Sequence, residues 1–124
     1  MVSETTPAEL RARLDDEDVA VVDIRDPSSY AAGHIEGAVN VPPQRLSPAA
    51  LDSPWAEADE IIVSCYVGKS SKRVARILGN HLDAELSSLR GGFEAWSGPV
   101  ADGHAESTGT GTATGDNEDS HPPF

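Results

Sequence analysis

Cys65 is the only cysteine of the chain and its clearest candidate for chemistry. It directly follows the run Ile61-Ile62-Val63-Ser64 and opens the loop Cys65-Tyr66-Val67-Gly68-Lys69-Ser70, with a helical pattern from Ser71. A strand-to-helix loop is where α/β sheets place their ligands. Such a loop can curl its N–H groups around one point. The helix behind it adds free N–H groups and the positive end of its dipole. Gly68 allows a backbone turn that other residues resist, and Ser70 or Ser71 can cap the helix. These surroundings favour a thiolate, so the Cys65 pKa should fall below the free value of about 8.5. They also suit an anionic ligand. Tyr66, Val67, Gly68, Lys69, Ser70 and Ser71 are the candidate substrate-binding residues, with Lys69 a positive charge at the rim. The competing reading is a small, inert, buried cysteine.

Positioning that loop requires strands and helices, and the pattern supplies them in alternation. Thr6 and Glu9 have the spacing of a capping box, and Pro7 suits a first helical position, so a helix should run through Leu10 and Leu14. Val19 to Ile24 reads as a buried strand. Pro27 to Ala32 reads as a short helix, capped by Asp26 and stopped at Gly33. Ala38 to Val41, Ile61 to Ser64 and Leu86 to Leu89 read as further strands. A helix is expected from Ser71 to Leu82, with Val74, Ile77, Leu78 and Leu82 on its apolar face. Gly91-Gly92 opens a final helical turn carrying Phe93 and Trp96, both read as core. The fold class is therefore α/β, a mostly parallel central sheet of about five strands with helices on both faces.

Composition narrows the function. The 124 residues suit one domain, expected over residues 1–100. With 9 basic and 21 acidic residues the net charge is -12, which disfavours nucleic acid as a partner. One cysteine excludes an internal disulfide and a multi-cysteine zinc site. No apolar run approaches the roughly 18 residues of a membrane span, and no secretory leader is visible near the N-terminus. A cytoplasmic location without membrane partners is the expectation. Only two bases, Lys69 and Lys72, are lysine; an acidic, lysine-poor surface suits a halophilic source. Residues 101–124 carry five acids and no base, and before Phe124 no Val, Ile, Leu, Met or aromatic residue. This acidic Gly/Ser/Thr-rich stretch is expected to be a disordered tail. Its His104 and His121 are expected to be solvated, and no metal is expected.

Three segments carry a family resemblance. Val22-Asp23-Ile24-Arg25, Tyr30 and Gly33-His34-Ile35-Glu36-Gly37-Ala38-Val39-Asn40-Val41-Pro42 resemble the N-terminal signature of rhodanese-type domains. Cys65-Tyr66-Val67-Gly68-Lys69-Ser70 resembles their active-site loop, and Gly91-Gly92-Phe93-Glu94-Ala95-Trp96 their C-terminal signature. The resemblance spans roughly residues 4–98 and is strongest to small single-domain thiosulfate sulfurtransferases. It implies that Cys65 attacks the outer sulfur of thiosulfate, holds a persulfide, and passes that sulfur to cyanide or a thiol. No cofactor is expected. A rhodanese-like sulfur carrier, or a non-catalytic interaction module within a sulfur-delivery system, is the alternative.

Other residues bear on that reading. Cysteine phosphatases use C-x₅-R, but the sixth residue after Cys65 is Ser71, and the nearest downstream arginine is Arg73. By the resemblance, a loop of this length goes with sulfur substrates. By the resemblance, Val67 stands where some thiosulfate-using relatives have a basic or polar residue. Its lack of charge would weaken thiosulfate binding and shift preference to another sulfur donor unless Lys69, which either compensates or points to solvent, makes up for it. Asp23 and Arg25 either orient the loop or form a structural ion pair. His34 is expected in a structural turn, and Trp55 has no assignable role.

Overall fold

The computed structural model describes residues 3–48 and 50–103. Its strands are β1 (Ser3–Thr5), β2 (Val19–Asp23), β3 (His34–Ile35), β4 (Val39–Asn40), β5 (Glu60–Ser64), β6 (Glu85–Leu89) and β7 (Val100–Ala101). Its α-helices are α1 (Pro7–Ala12), α2 (Pro27–Ala32) and α3 (Ser70–Gly79). Five strands form one sheet in the order β1-β6-β5-β2-β4, every pair parallel. The small antiparallel pair β3-β7 lies apart from it.

The central strand β5 has apolar side chains on both faces, as a covered parallel sheet demands, and Ile61, Ile62 and Val63 are fully buried. Alternation sends Ile61, Val63 and Cys65 to one face, where they pack with Val22, Ile24, Val74, Ala75 and Leu78. Ile62 joins the other face, with Leu10, Tyr30, Ile35, Leu89 and Trp96. In register, Asp23 of β2 lies beside Ser64 of β5, so Arg25 and Cys65 leave the sheet at the same edge.

Local signals set the helix starts. Thr6 Oγ1 accepts the Glu9 N–H at 3.1 Å, and Glu9 returns the bond to the Thr6 N–H at 2.9 Å. Asp26 accepts the Ser29 N–H at 3.2 Å. Four expectations need correction. First, α3 ends at Gly79, not Leu82, and its buried stripe is Ser71, Val74, Ala75 and Leu78, while Ile77 is 44% exposed. Those buried residues follow the i, i+3, i+4, i+7 pattern exactly where the small Ser71 and Ala75 allow close approach to the sheet. Second, neither Ser70 nor Ser71 caps α3: the cap position is Lys69, without a side-chain bond. Third, Ala101 and Gly103 belong to the folded unit, since Ala101 pairs with His34 and the Gly103 N–H reaches Ala31 O at 2.8 Å. The rest of the expected tail, residues 104–124, lies outside the described residues. Fourth, α1 stops at Ala12, though Leu14 still packs on the core. No helix among the described residues is long and apolar enough to cross a membrane.

The α3 stripe makes a test. Leu78→Ala should lower unfolding free energy in urea by about 2–5 kcal/mol, and Ile77→Ala by less than about 1 kcal/mol. Equal losses would contradict the observed facing of α3.

Candidate active site

At the end of β5 the chain turns so that the Cys65 sulfur sits beneath the start of α3. The N–H of Gly68 points at Sγ from 3.1 Å and that of Ser71 from 3.3 Å. The first N–H groups of a helix have no carbonyl partner within it. Here a sulfur atom takes the place of the capping oxygen. The Ser71 hydroxyl oxygen lies 3.4 Å from the sulfur and 2.6 Å from Ser88 Oγ on β6. Burial pushes the Cys65 thiol up and is the largest single influence. Hydrogen bonds from the Ser71 hydroxyl and from the N–H groups of Ser71, Gly68 and Val67 together outweigh it. The thiol therefore ionises below its ordinary value.

The loop is built against a second turn. Gly68 has φ +90°, and a Cβ there would come within 3.0 Å of Gly91 N and 3.3 Å of Leu89 O. Gly92 has φ +63°, and a Cβ there would lie 2.6 Å from the carbonyls of Cys65 and Tyr66. These close approaches let the Phe93 N–H bond Cys65 O at 2.7 Å and the Glu94 N–H bond Tyr66 O at 3.0 Å. Two loop carbonyls are thereby turned away from the sulfur, and the N–H groups turned toward it.

Asp23 and Arg25 form a buried pair, with Nη2 2.7 Å from Oδ2 and side chains 1% and 5% exposed. Arg25 also bonds Gly33 O at 2.7 Å. Its guanidinium lies 4.2 Å from the Phe93 ring centre and 5.7 Å from that of Tyr66. The pair thus contacts the loop through ring faces. The Tyr66 hydroxyl is 2.9 Å from Ser29 Oγ on α2.

The other expected site residues divide. Gly68 and Ser71 are buried beside the sulfur. Tyr66 and Val67 are 47% and 45% exposed and stand at the surface around it. Lys69 and Ser70 are exposed, and neither side chain has a hydrogen bond or ion pair among the described residues. His34 is buried against Tyr30, ring on ring at 3.7 Å, with Nδ1 2.7 Å from Tyr30 O. Trp55 packs on the α3 side of the core. Concavities of about 440 Å³ beside Arg11 and Trp96, and beside Leu51 and His81, are separate from this site. Ser88 carries no local signal: it lies on the neighbouring strand β6, beside Val63 of β5, but 23 residues after Cys65 in sequence.

A family model described as Rhodanese-like domain matches residues 6–99. The chain belongs to the rhodanese-like family. Among curated relatives, it is 44% identical over 80 residues to Thiosulfate sulfurtransferase GlpE of Stutzerimonas stutzeri, covering 61% of this chain and 68% of that protein. It is 40% identical over 94 residues to the protein of that name from Pseudomonas fluorescens, covering 73% and 81%. Among solved structures, the rhodanese-like domain of the Alr3790 protein from Anabaena sp. superposes with a TM-score of 0.71 at 28% identity, covering 100% of this chain and 96% of that one. A thiosulfate sulfurtransferase from Pseudomonas aeruginosa shares the fold, with a TM-score of 0.73 at 21% identity, over 85% of this chain and 20% of that one.

The thiol of this rhodanese-like domain gives the pH test. Its lowered pKa means the thiolate persists to lower pH in the folded protein than in the unfolded one. Alkylation by iodoacetamide should therefore reach half its plateau rate at a lower pH in native protein than in denaturant, where the midpoint should be about 8.5. Coincident midpoints would contradict the geometry.

Proposed function

We propose that this protein is a sulfurtransferase working through a persulfide on Cys65. The observation that carries the reading is the sulfur of Cys65 held by the N–H groups of Gly68 and Ser71 at 3.1 and 3.3 Å. The thiolate attacks the outer sulfur of thiosulfate, or the terminal sulfur of another persulfide donor. An S–S bond forms to Sγ, and the bond to the leaving group breaks, its electron pair departing with sulfite or a thiolate. Cyanide or a thiolate then attacks the bound sulfur, and Cys65 leaves as thiolate again. No general base is needed for the first step when Cys65 is already ionised. The loop N–H groups favour the anions formed in both displacements. Sequence likeness to proteins named thiosulfate sulfurtransferase supports thiosulfate as a donor.

Lys69 is exposed and has no ion pair among the described residues, and no acidic residue occurs from Ile61 to Leu82. In a chain of net charge -12, this is a suitable approach for an anionic donor. Val67, without charge, leaves that task to Lys69 and the backbone. The half-exposed Tyr66 and Val67 favour, as a second reading, a carrier that hands sulfur to a docked protein thiol. With one cysteine in the chain, an internal disulfide cannot discharge the persulfide. We place the protein in a cytoplasm, and its acidic, lysine-poor composition favours a saline one.

Intact mass after mixing with thiosulfate tests the central step. A gain of one sulfur atom is expected, removed by cyanide and absent in Cys65→Ser. No gain from thiosulfate or from a persulfide donor, in folded protein at low and high salt, would overturn the reading. Lys69→Glu should raise the KM for thiosulfate by about fivefold at low salt, with the difference shrinking as salt screens the charge. An unchanged KM would remove Lys69 from the binding role.

A further inference from the structure

Beneath the Cys65 sulfur lie two hydroxyls in a row that form no bond to the transferred sulfur. Cys65 Sγ, Ser71 Oγ and Ser88 Oγ follow one another at 3.4 and 2.6 Å. Ser71 and Ser88 are fully buried. Ser88 Oγ has no other hydrogen-bond partner among the described residues. Three heavy atoms in a row offer two gaps for hydrogen bonds. With Cys65 protonated, three protons compete for those two gaps, and one is left buried without an acceptor. With Cys65 ionised, two protons fill two gaps. A thiolate only accepts, so Ser71 must donate to it, and Ser88 must then donate to Ser71.

We propose that Ser88 is a positioning residue for Cys65, acting through Ser71 to direct the Ser71 hydroxyl proton onto the sulfur. Remove the Ser88 hydroxyl and the thiolate state leaves Ser71 Oγ buried with no donor. In the wild-type thiolate that shortfall falls on Ser88 Oγ, one bond further from the charge, and the Ser88 donation polarises the Ser71 hydroxyl toward the sulfur. The thiol state gains no such support, because there the S–H itself can supply Ser71 Oγ. The effect of Ser88 therefore falls on the ionised form.

Charged groups on the surrounding elements do not account for the same effect. Lys69 on the loop, Lys72 and Arg73 on α3, and Glu94 on the adjoining turn are exposed. Lys72 is paired with Glu4, and Arg25 beyond β2 is paired with Asp23. None of them is among the largest influences on the Cys65 thiol. The inference rests on Cys65 being the reacting group, but its test is separable from that reading, since alkylation needs no sulfur donor.

The experiment is the pH profile of iodoacetamide alkylation in the full chain, with folding checked by circular dichroism. Ser88→Ala should move the midpoint up by about half a pH unit to one pH unit. Ser88→Gly, a second hydroxyl-free variant, should do the same. Ser88→Thr, which keeps a hydroxyl, should stay closer to wild type than either. Ser71→Ala should raise the midpoint further, and adding Ser88→Ala to it should change nothing more, because Ser88 acts only through Ser71. A wild-type midpoint in folded Ser88→Ala or Ser88→Gly, or equal shifts with and without Ser71, would overturn the proposal. Loss of persulfide formation in wild type alongside a preserved Ser88 shift would instead sink only the sulfur-transfer reading.

Discussion

Everything around Cys65 depends on a sulfur atom standing where a helix normally finds a capping oxygen. The N–H of Ser71, one of the unpartnered donors at the start of α3, points at Sγ from 3.3 Å, and Gly68 adds a second donor at 3.1 Å. An anion there gains from both N–H groups and from the helix dipole. The structure therefore lowers the thiol pKa with neutral donors, the Ser71 hydroxyl first and then the N–H groups of Ser71, Gly68 and Val67, against the opposing effect of burial. In a protein with 21 acids and 9 bases, that is a dependable way to hold negative charge, because it does not rely on scarce cations.

The cap requires that the loop keep one shape, and the rest of the domain serves that. The parallel register of β2, β5 and β6 brings Asp23, Cys65 and Ser88 to the same region of the sheet. The turn at Gly91 and Gly92 takes the Cys65 and Tyr66 carbonyls as acceptors and so holds the loop N–H groups inward. Phe93 on that turn rests on the guanidinium of Arg25, itself held by Asp23 and Gly33 O. Breaking a buried pair of this kind by removing one partner costs about 3–5 kcal/mol. The pair is thus a brace whose loss would reach the loop through Phe93 and Tyr66. Preorganised donors of this sort stabilise charge without having to move when it develops.

Much of this was legible in sequence, for local reasons. Apolar β-branched runs marked β2 and β5, the Thr6/Glu9 and Asp26 caps marked α1 and α2, and the strand–Cys–loop–helix order marked the site. What escaped was what depends on pairing across the fold. Ser3–Thr5 has no apolar pattern, yet it is the fifth strand, because β6 offers it an edge and Thr5 Oγ1 meets Ser87 Oγ at 2.7 Å. Val100–Ala101 becomes a strand only through His34–Ile35. A serine cap on α3 was expected because serine is the usual capping chemistry; the sulfur had already taken the position. Ile77 looked like core by hydrophobicity, whereas geometry gave that place to Ala75. Ser88 has no sequence signal, because its place beside Ser71 arises only from the pairing of β6 with β5.

The measurement that bears most directly on the capping sulfur is the pH dependence of stability in wild type against Cys65→Ser. The serine keeps a capping oxygen that does not titrate. A folded-state thiol pKa below the unfolded one contributes stability that is fully present above the unfolded pKa, about 8.5, and is lost as pH falls through the folded value. The difference in unfolding free energy, wild type minus variant, should therefore increase with pH across that window and level off above it. A difference that stays flat, or that falls as pH rises, would contradict a thiolate held by the start of α3.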